Sequence, residues 1–186
     1  MKEYYTLSFL LLLNRSLDAF VTYRLTPDLN YEANPLVSLF QQGWIMLGFV
    51  NVLVVILILY LGKFYYVGKK DFSPQARGYT FTQFISHYFY YEKGSFYKVF
   101  IYVPYNRKAL LYISAYILPR TFVVWGFMPV FHNLSLDLFP SYVYYNEQFF
   151  LWIWVYVSLL IFAYFYFWVF FKKEYMSYSR ISTFAT

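Results

Sequence analysis

The chain reads as an all-α integral membrane protein with four transmembrane helices plus an interfacial amphipathic helix in its middle loop. Three observations carry that reading. Hydrophobic residues fill 61% of the 186 positions and the mean hydropathy is +0.43, well above the roughly 45–50% apolar content of a soluble domain. Four apolar stretches, residues 4–25, 44–61, 109–131 and 149–171, come close to the about 20 residues that a helix needs to cross a bilayer core of roughly 30 Å. Lys and Arg gather in alternate connections, as the positive-inside rule requires.

The first span, Tyr4 to Leu25, is the anomalous one. Met1-Lys2 before a Leu-rich run imitates a signal peptide, yet no small-residue cleavage site follows Leu13, and Asn14-Arg15 interrupts the run; a retained helix is expected. On that helix Asn14, Asp18 and Thr22 fall at i, i+4 and i+8, one face, with Arg15 beside Asp18. Charges at membrane depth cost a few kcal/mol each on insertion scales, so they turn inward and pair. The chain then breaks at Pro27, passes Asp28 and Glu32, and restarts after Asn34-Pro35 as a short helix with Leu36, Val37, Leu39 and Phe40 on its apolar face.

The second span, Trp44 to Leu61, has only Asn51 as a polar residue and ends at Gly62-Lys63. The connection from Lys63 to Lys108 carries eight Lys and Arg against Asp71 and Glu92, which places it on the cytoplasmic or matrix side. Within it Phe81, Phe84, Ile85, Tyr88 and Phe89 recur at the spacing of an amphipathic helix lying in the interface, stopped by Gly94. Phe96 to Pro104 reads as an extended return. Lys63, Lys69, Lys70, Arg107 and Lys108 are candidate contacts to anionic lipid headgroups, or they orient the chain and do nothing more.

The third span, Ala109 to Phe131, is broken by Pro119-Arg120 near its middle and by Pro129 near its end; a kink and a freed carbonyl are expected at Pro119. Arg120 is then a second buried cation, with Asp18 or the freed carbonyls as its expected partners. The connection from His132 to Gln148 has Asp137 and Glu147 and no Lys or Arg, so it belongs outside. The fourth span, Phe149 to Phe171, is apolar all round, carries Trp152, Trp154 and Trp168, and is closed by Lys172-Lys173. The result is one membrane domain over residues 1–186 with both termini on the cytoplasmic or matrix side of a bacterial or organellar inner membrane.

Composition narrows the chemistry. There is no cysteine, which excludes disulfides, thiolate catalysis and Cys-based metal sites. His87 and His132 are the two imidazoles, so no metal or other cofactor is expected. The net charge is +6, but twelve of the fifteen Lys and Arg flank hydrophobic segments, and membrane orientation explains them without nucleic acid. No Ser-Lys pair, His-carboxylate set or Gly-rich phosphate loop is found, so no enzyme is expected.

The polar cluster expected from these features comprises Asn14, Arg15, Asp18, Thr22, Glu32, Asn34 and Arg120. Three readings of it stand: a ladder that fixes helix register; a site for an ion, a lipid headgroup or a proton, with Glu32 and Asn34 closing over it; or acid and base chemistry by Asp18 and Glu32. Arg15 and Arg120 outnumber Asp18, so Glu32, a phospholipid phosphate or a partner subunit must supply an anion. Leu17-Asp18-x-x-x-Thr22-Tyr23 followed by Glu32-Ala33-Asn34-Pro35-Leu36 resembles the core motif of a family of small prokaryotic membrane proteins of unknown function, the DUF5658 type. The likeness covers about the first sixty residues; the large basic loop and the aromatic third and fourth spans depart from it. It implies a four-helix membrane fold with a polar first hairpin and no particular chemistry.

The aromatic share of 28% exceeds what interfacial belts require and what a bundle of this size buries within itself. The first functional expectation is therefore a non-catalytic subunit of a larger membrane complex of respiratory, energy-transducing or secretion type, partnered by the bilayer, ordered phospholipids and other membrane subunits. The alternative is a stand-alone ion-, lipid- or small-ligand-binding membrane protein that uses the polar cluster.

Overall fold

The computed structural model describes residues 1–29, 43–68, 72–94 and 96–183. They form eight helices: α1 (Lys2–Leu25), α2 (Trp44–Val67), α3 (Phe81–Tyr90), α4 (Lys98–Ile101), α5 (Arg107–Trp125), α6 (Phe127–Leu138), α7 (Pro140–Phe149) and α8 (Leu151–Thr183). No strand occurs among the described residues. Three rods are long and apolar enough to cross a bilayer: α2, α5 and α6 taken together, and α8. Helix α1 equals α2 in length, at 24 residues. Asn14, Arg15 and Asp18 at its middle make it the polar exception.

Cross-helix contacts fix the directions of the rods. The Tyr4 hydroxyl donates to the Leu59 carbonyl at 3.2 Å, and Trp44 Nε1 to the Pro27 carbonyl at 2.8 Å, so α1 and α2 are antiparallel. Asn14 reaches Val123 and Thr22 reaches Asn133, so α1 runs parallel to α5 and α6. Trp125 Nε1 donates to the Val155 carbonyl at 2.7 Å, while the Tyr116 ring lies 5.2 Å from that of Phe170; α8 returns antiparallel. The four rods alternate in direction, and the start of α1 and the end of α8 lie at one end of the bundle. Helix α5 is the central rod, packed by α1, α2 and α8.

Of the two breaks expected in the third rod, the one near Pro129 interrupts the helix and the one at Pro119 does not. Helix α5 runs through Pro119 to Trp125, and the proline ring packs on α2 where that helix has no side chain: a Cβ built on Gly62 would lie 3.1 Å from Pro119 Cγ. The interruption falls at Gly126, between α5 and α6. Pro129 accounts for it, because it has no N–H to offer the Trp125 carbonyl four residues back and is tolerated only in the first turn of a new helix.

The terminal end of the bundle holds the largest core. Phe84, Ile85, Tyr88 and Phe89 of α3 are buried with Tyr112 and Tyr116 of α5 and Phe170, Phe171 and Tyr178 of α8. At 33 residues, α8 is roughly 50 Å long at 1.5 Å per residue and outruns a hydrocarbon core of about 30 Å. Its surplus length carries Phe171 and Tyr178 to α3. The amphipathic helix expected in the middle loop is thus present, but its apolar stripe is covered by protein. A reciprocal Thr80–Gln83 capping box starts it, and Tyr91 in left-handed conformation (φ 58°) ends it, ahead of Gly94.

Other boundaries shift as well. Helix α2 continues six residues past Leu61 to Val67, and α4 interrupts the return that was expected to be extended from Phe96 to Pro104. The connection from His132 to Gln148 is helical, shared by α6 and α7, and left-handed Phe150 (φ 50°) separates α7 from α8.

Candidate functional site

The single polar face read from α1 is turned onto the third rod. Asn14 is fully buried, and its Nδ2 donates to the Val123 carbonyl at 2.9 Å and more distantly to that of Phe122 at 3.3 Å. Both carbonyls belong to the last turn of α5, and that of Phe122 also accepts from the Gly126 N–H at 3.0 Å. The approach is close because residue 126 is glycine: a Cβ there would fall 2.4 Å from Asn14 Nδ2 and 2.7 Å from its Oδ1. Farther along, the Thr22 hydroxyl accepts from Asn133 Nδ2 at 3.2 Å, and Arg24 pairs with Asp137 at 3.0 Å.

Arg15 and Asp18 lie between these two anchor points. Arg15 Nη1 stands 3.4 Å from Asp18 Oδ2, Nη2 3.4 Å from the Gly126 carbonyl and Nε 3.2 Å from Asn14 Oδ1. Its guanidinium carbon is 5.4 Å from the centre of the Trp125 ring, within cation–π range. Both side chains are largely buried, 16% and 23% exposed. They line a cavity of about 350 Å³ between the rods, with Thr22, Asn51, His132 and Asn133 as further polar groups and Trp44, Trp125, Trp152 and Tyr156 among its walls. His132 Nδ1 is held by the Tyr142 hydroxyl at 2.9 Å.

Arg120 does not join this cluster. It sits nearer the terminal end, where Nη2 donates to Glu3 Oε1 at 2.6 Å and to the Tyr66 hydroxyl at 2.8 Å, and Nη1 to the Tyr116 carbonyl at 2.8 Å. The Tyr116 ring lies 3.7 Å from the guanidinium carbon and that of Tyr65 5.5 Å. The expected pairing with Asp18 is therefore replaced by one with Glu3. Burial raises the Glu3 carboxyl, but the hydrogen bond and charge of Arg120, joined by the Tyr66 hydroxyl and the Lys173 charge, outweigh it and hold the group below its ordinary range.

The expected seven-residue cluster thus divides. Asn14, Arg15, Asp18 and Thr22 share one face, and Arg120 forms a separate centre. Glu32 and Asn34 lie outside the described residues, as do Lys69 and Lys70. Lys63, Arg107 and Lys108 are exposed, on α2 and at the start of α5. Sequence reasoning missed Glu3, Gly126, His132 and Asn133. For Glu3 the signal was present: it is an acidic residue one position before the first apolar stretch. For Gly126 the three-residue spacing to Pro129 marked a break, but nothing local paired it with Asn14.

Among the described residues no three His, Asp or Glu side chains converge as metal ligands would. Comparison of the chain with protein-family models, with curated proteins and with solved structures gave no match.

Proposed function

We propose that the protein is a multi-pass membrane protein whose four rods enclose a binding site for a small ligand that partitions into the bilayer. The observation that carries this reading is the cavity of about 350 Å³ at the Arg15–Asp18 pair, within the size range of small-molecule sites, roughly 300–1,000 Å³. Helix α1 serves as the fourth span. Asn14, Arg15, Asp18 and Thr22 face the third rod or its cavity while Phe9, Leu12, Leu13 and Phe20 point outward, the arrangement lipid demands. The basic connection and both termini lie on the cytoplasmic or matrix face of a bacterial or organellar inner membrane, with Lys63, Arg107 and Lys108 at the level of the headgroups. Asp18 and Thr22, the first half of the motif that resembles the DUF5658 type, belong to the cavity wall.

Gly48 provides the test. It lines the cavity, and a Cβ built there meets nothing within 4 Å. A Cβ there starts without a clash, and leucine adds volume at the cavity wall while being a better helix former than glycine. Gly48→Leu is expected to retain or raise the melting temperature and to abolish the quenching of tryptophan fluorescence by small aromatic compounds. Equal quenching in wild type and variant refutes a ligand site in this cavity.

One observation favours a second reading, a non-catalytic subunit of a larger membrane complex. Within its apolar window only 6% of the residues of α8 are buried by the rest of the chain, against 50% for the third rod, so α8 is the more open of the two to lipid or to partner helices. Extraction in mild detergent followed by size exclusion separates the two. A large co-migrating assembly favours the subunit; a lone chain that binds ligand favours the carrier or binding protein.

A further inference from the structure

The chemistry of the cavity's ligand follows from how poorly its two charged residues are satisfied. Every polar contact of Arg15 lies at 3.2–3.4 Å, whereas charge-assisted N–H···O bonds settle at about 2.7–2.9 Å. Arg120 in the same fold makes three contacts of 2.6–2.8 Å. Asp18 has even less: among the described residues its carboxylate is within ion-pair distance of Arg15 alone, at 3.4 Å, although an ionised carboxylate offers about four acceptor sites. A guanidinium with unused N–H groups and a carboxylate with unused lone pairs stand side by side on the wall of one cavity.

We infer that the cavity takes an uncharged aromatic alcohol, of the phenol class, whose hydroxyl donates to Asp18 and accepts from Arg15. This rests on the reading of the cavity as a ligand site. A hydroxyl is the smallest group that meets both needs at once, since it carries one donor and two acceptor positions. The overall charge of the ligand is set by the lining: one cation and one anion already cancel, and a further net charge at membrane depth is costly. The body of the ligand is set by Trp44, Trp125, Trp152 and Tyr156, whose ring faces and edges pack best on another aromatic ring. A neutral aromatic alcohol also dissolves in the bilayer, which supplies it to a site between membrane helices.

The test uses the full chain in lipid nanodiscs and four probes of one size: 1-naphthol, naphthalene, 1-naphthoate and 1-naphthylmethylammonium. Binding is read by tryptophan quenching and by equilibrium dialysis, with protein-free nanodiscs as the blank. The expected result is that 1-naphthol binds at least about tenfold more tightly than naphthalene, the least that hydrogen bonds to two charged groups supply, and more tightly than either ion. In the double variant Arg15→Met/Asp18→Leu, which removes both charges together and leaves neither stranded, the advantage of 1-naphthol over naphthalene disappears. Equal binding of 1-naphthol and naphthalene to the wild type overturns the hydroxyl assignment while the cavity remains a ligand site. Tighter binding of the carboxylate or the ammonium overturns the neutral class in the same way. If none of the four binds, the reading of the cavity as a ligand site fails with it.

Discussion

Two guanidiniums buried in one small bundle have opposite fates. Arg120 is enclosed, 7% exposed, by a carboxylate, a phenol oxygen, a carbonyl and tyrosine rings, all at short range. Arg15 is held loosely by a carboxylate, an amide and a carbonyl, and it faces open volume. A buried charge that is fully paired stabilises a particular arrangement of helices; one that is only partly paired keeps hydrogen-bonding capacity in reserve. The first centre ties the start of α1 to the middle of the third rod, and the second lies on the wall of the cavity.

Breaking the tight centre has the largest expected effect. Glu3→Ala strands Arg120 without its anion, and loss of one partner of a buried pair typically costs 3–5 kcal/mol. With Glu3 itself 59% exposed, the low end, about 3 kcal/mol, is expected, read as a fall in thermal midpoint in detergent. A midpoint within a degree of the wild type would show that Arg120 does not depend on Glu3.

Next comes the contact that holds α1 against the third rod beside the loose centre. Gly126→Ala puts a Cβ inside the Asn14 side chain, so the amide must give up the Val123 carbonyl or the helices must part. A cost of about 2 kcal/mol is expected, from overpacking and an unsatisfied buried amide together. The companion variant Asn14→Ala/Gly126→Ala, which relieves the clash, should recover part of it; no recovery would locate the damage in the backbone at residue 126.

A smaller effect distinguishes the centres by pH. The Glu3 carboxyl is depressed in the folded chain, so its contribution is complete above the ordinary carboxylate range and is lost as pH falls through the depressed value. Thermal midpoints measured downward from pH 7 should drop more steeply for the wild type than for Glu3→Gln. Parallel curves would mean that the ion pair does not form.

The smallest effect on stability is expected where the effect on binding is greatest. Arg15→Met/Asp18→Leu replaces a loosely made buried pair by apolar groups of similar size, an exchange that is often neutral or better. A change within about 1 kcal/mol is expected. A larger loss would make the Arg15–Asp18 pair a structural element like its counterpart at Arg120.

Much of this was legible in the residues. The 3.6-residue period placed Asn14, Asp18 and Thr22 on one face, and all three point toward the third rod or its cavity. The same period identified α3 and its apolar stripe. Both readings succeed because they concern neighbours one or two turns apart, which helix geometry alone brings together. The partner of Arg120 was not legible, since Glu3 is 117 positions away and an ion pair over that separation depends on which rods touch and at what height. Of the two expected breaks only the one near Pro129 interrupts the helix, for a related reason. Pro119 and Pro129 are equal as helix breakers in isolation, but the ring of Pro119 is absorbed against Gly62 of α2 whereas Gly126 beside Pro129 receives Asn14 of α1.

By itself the sequence determined the class of the protein, the alternation of its rods and the polar stripe of α1, because each follows from composition and from a repeat shorter than two helical turns. The tertiary structure decided which cation is closed off and which is left facing a cavity. That outcome depends on the packing of side chains from four rods around α5, on where glycine lets two backbones meet, and on volume that no single segment encloses.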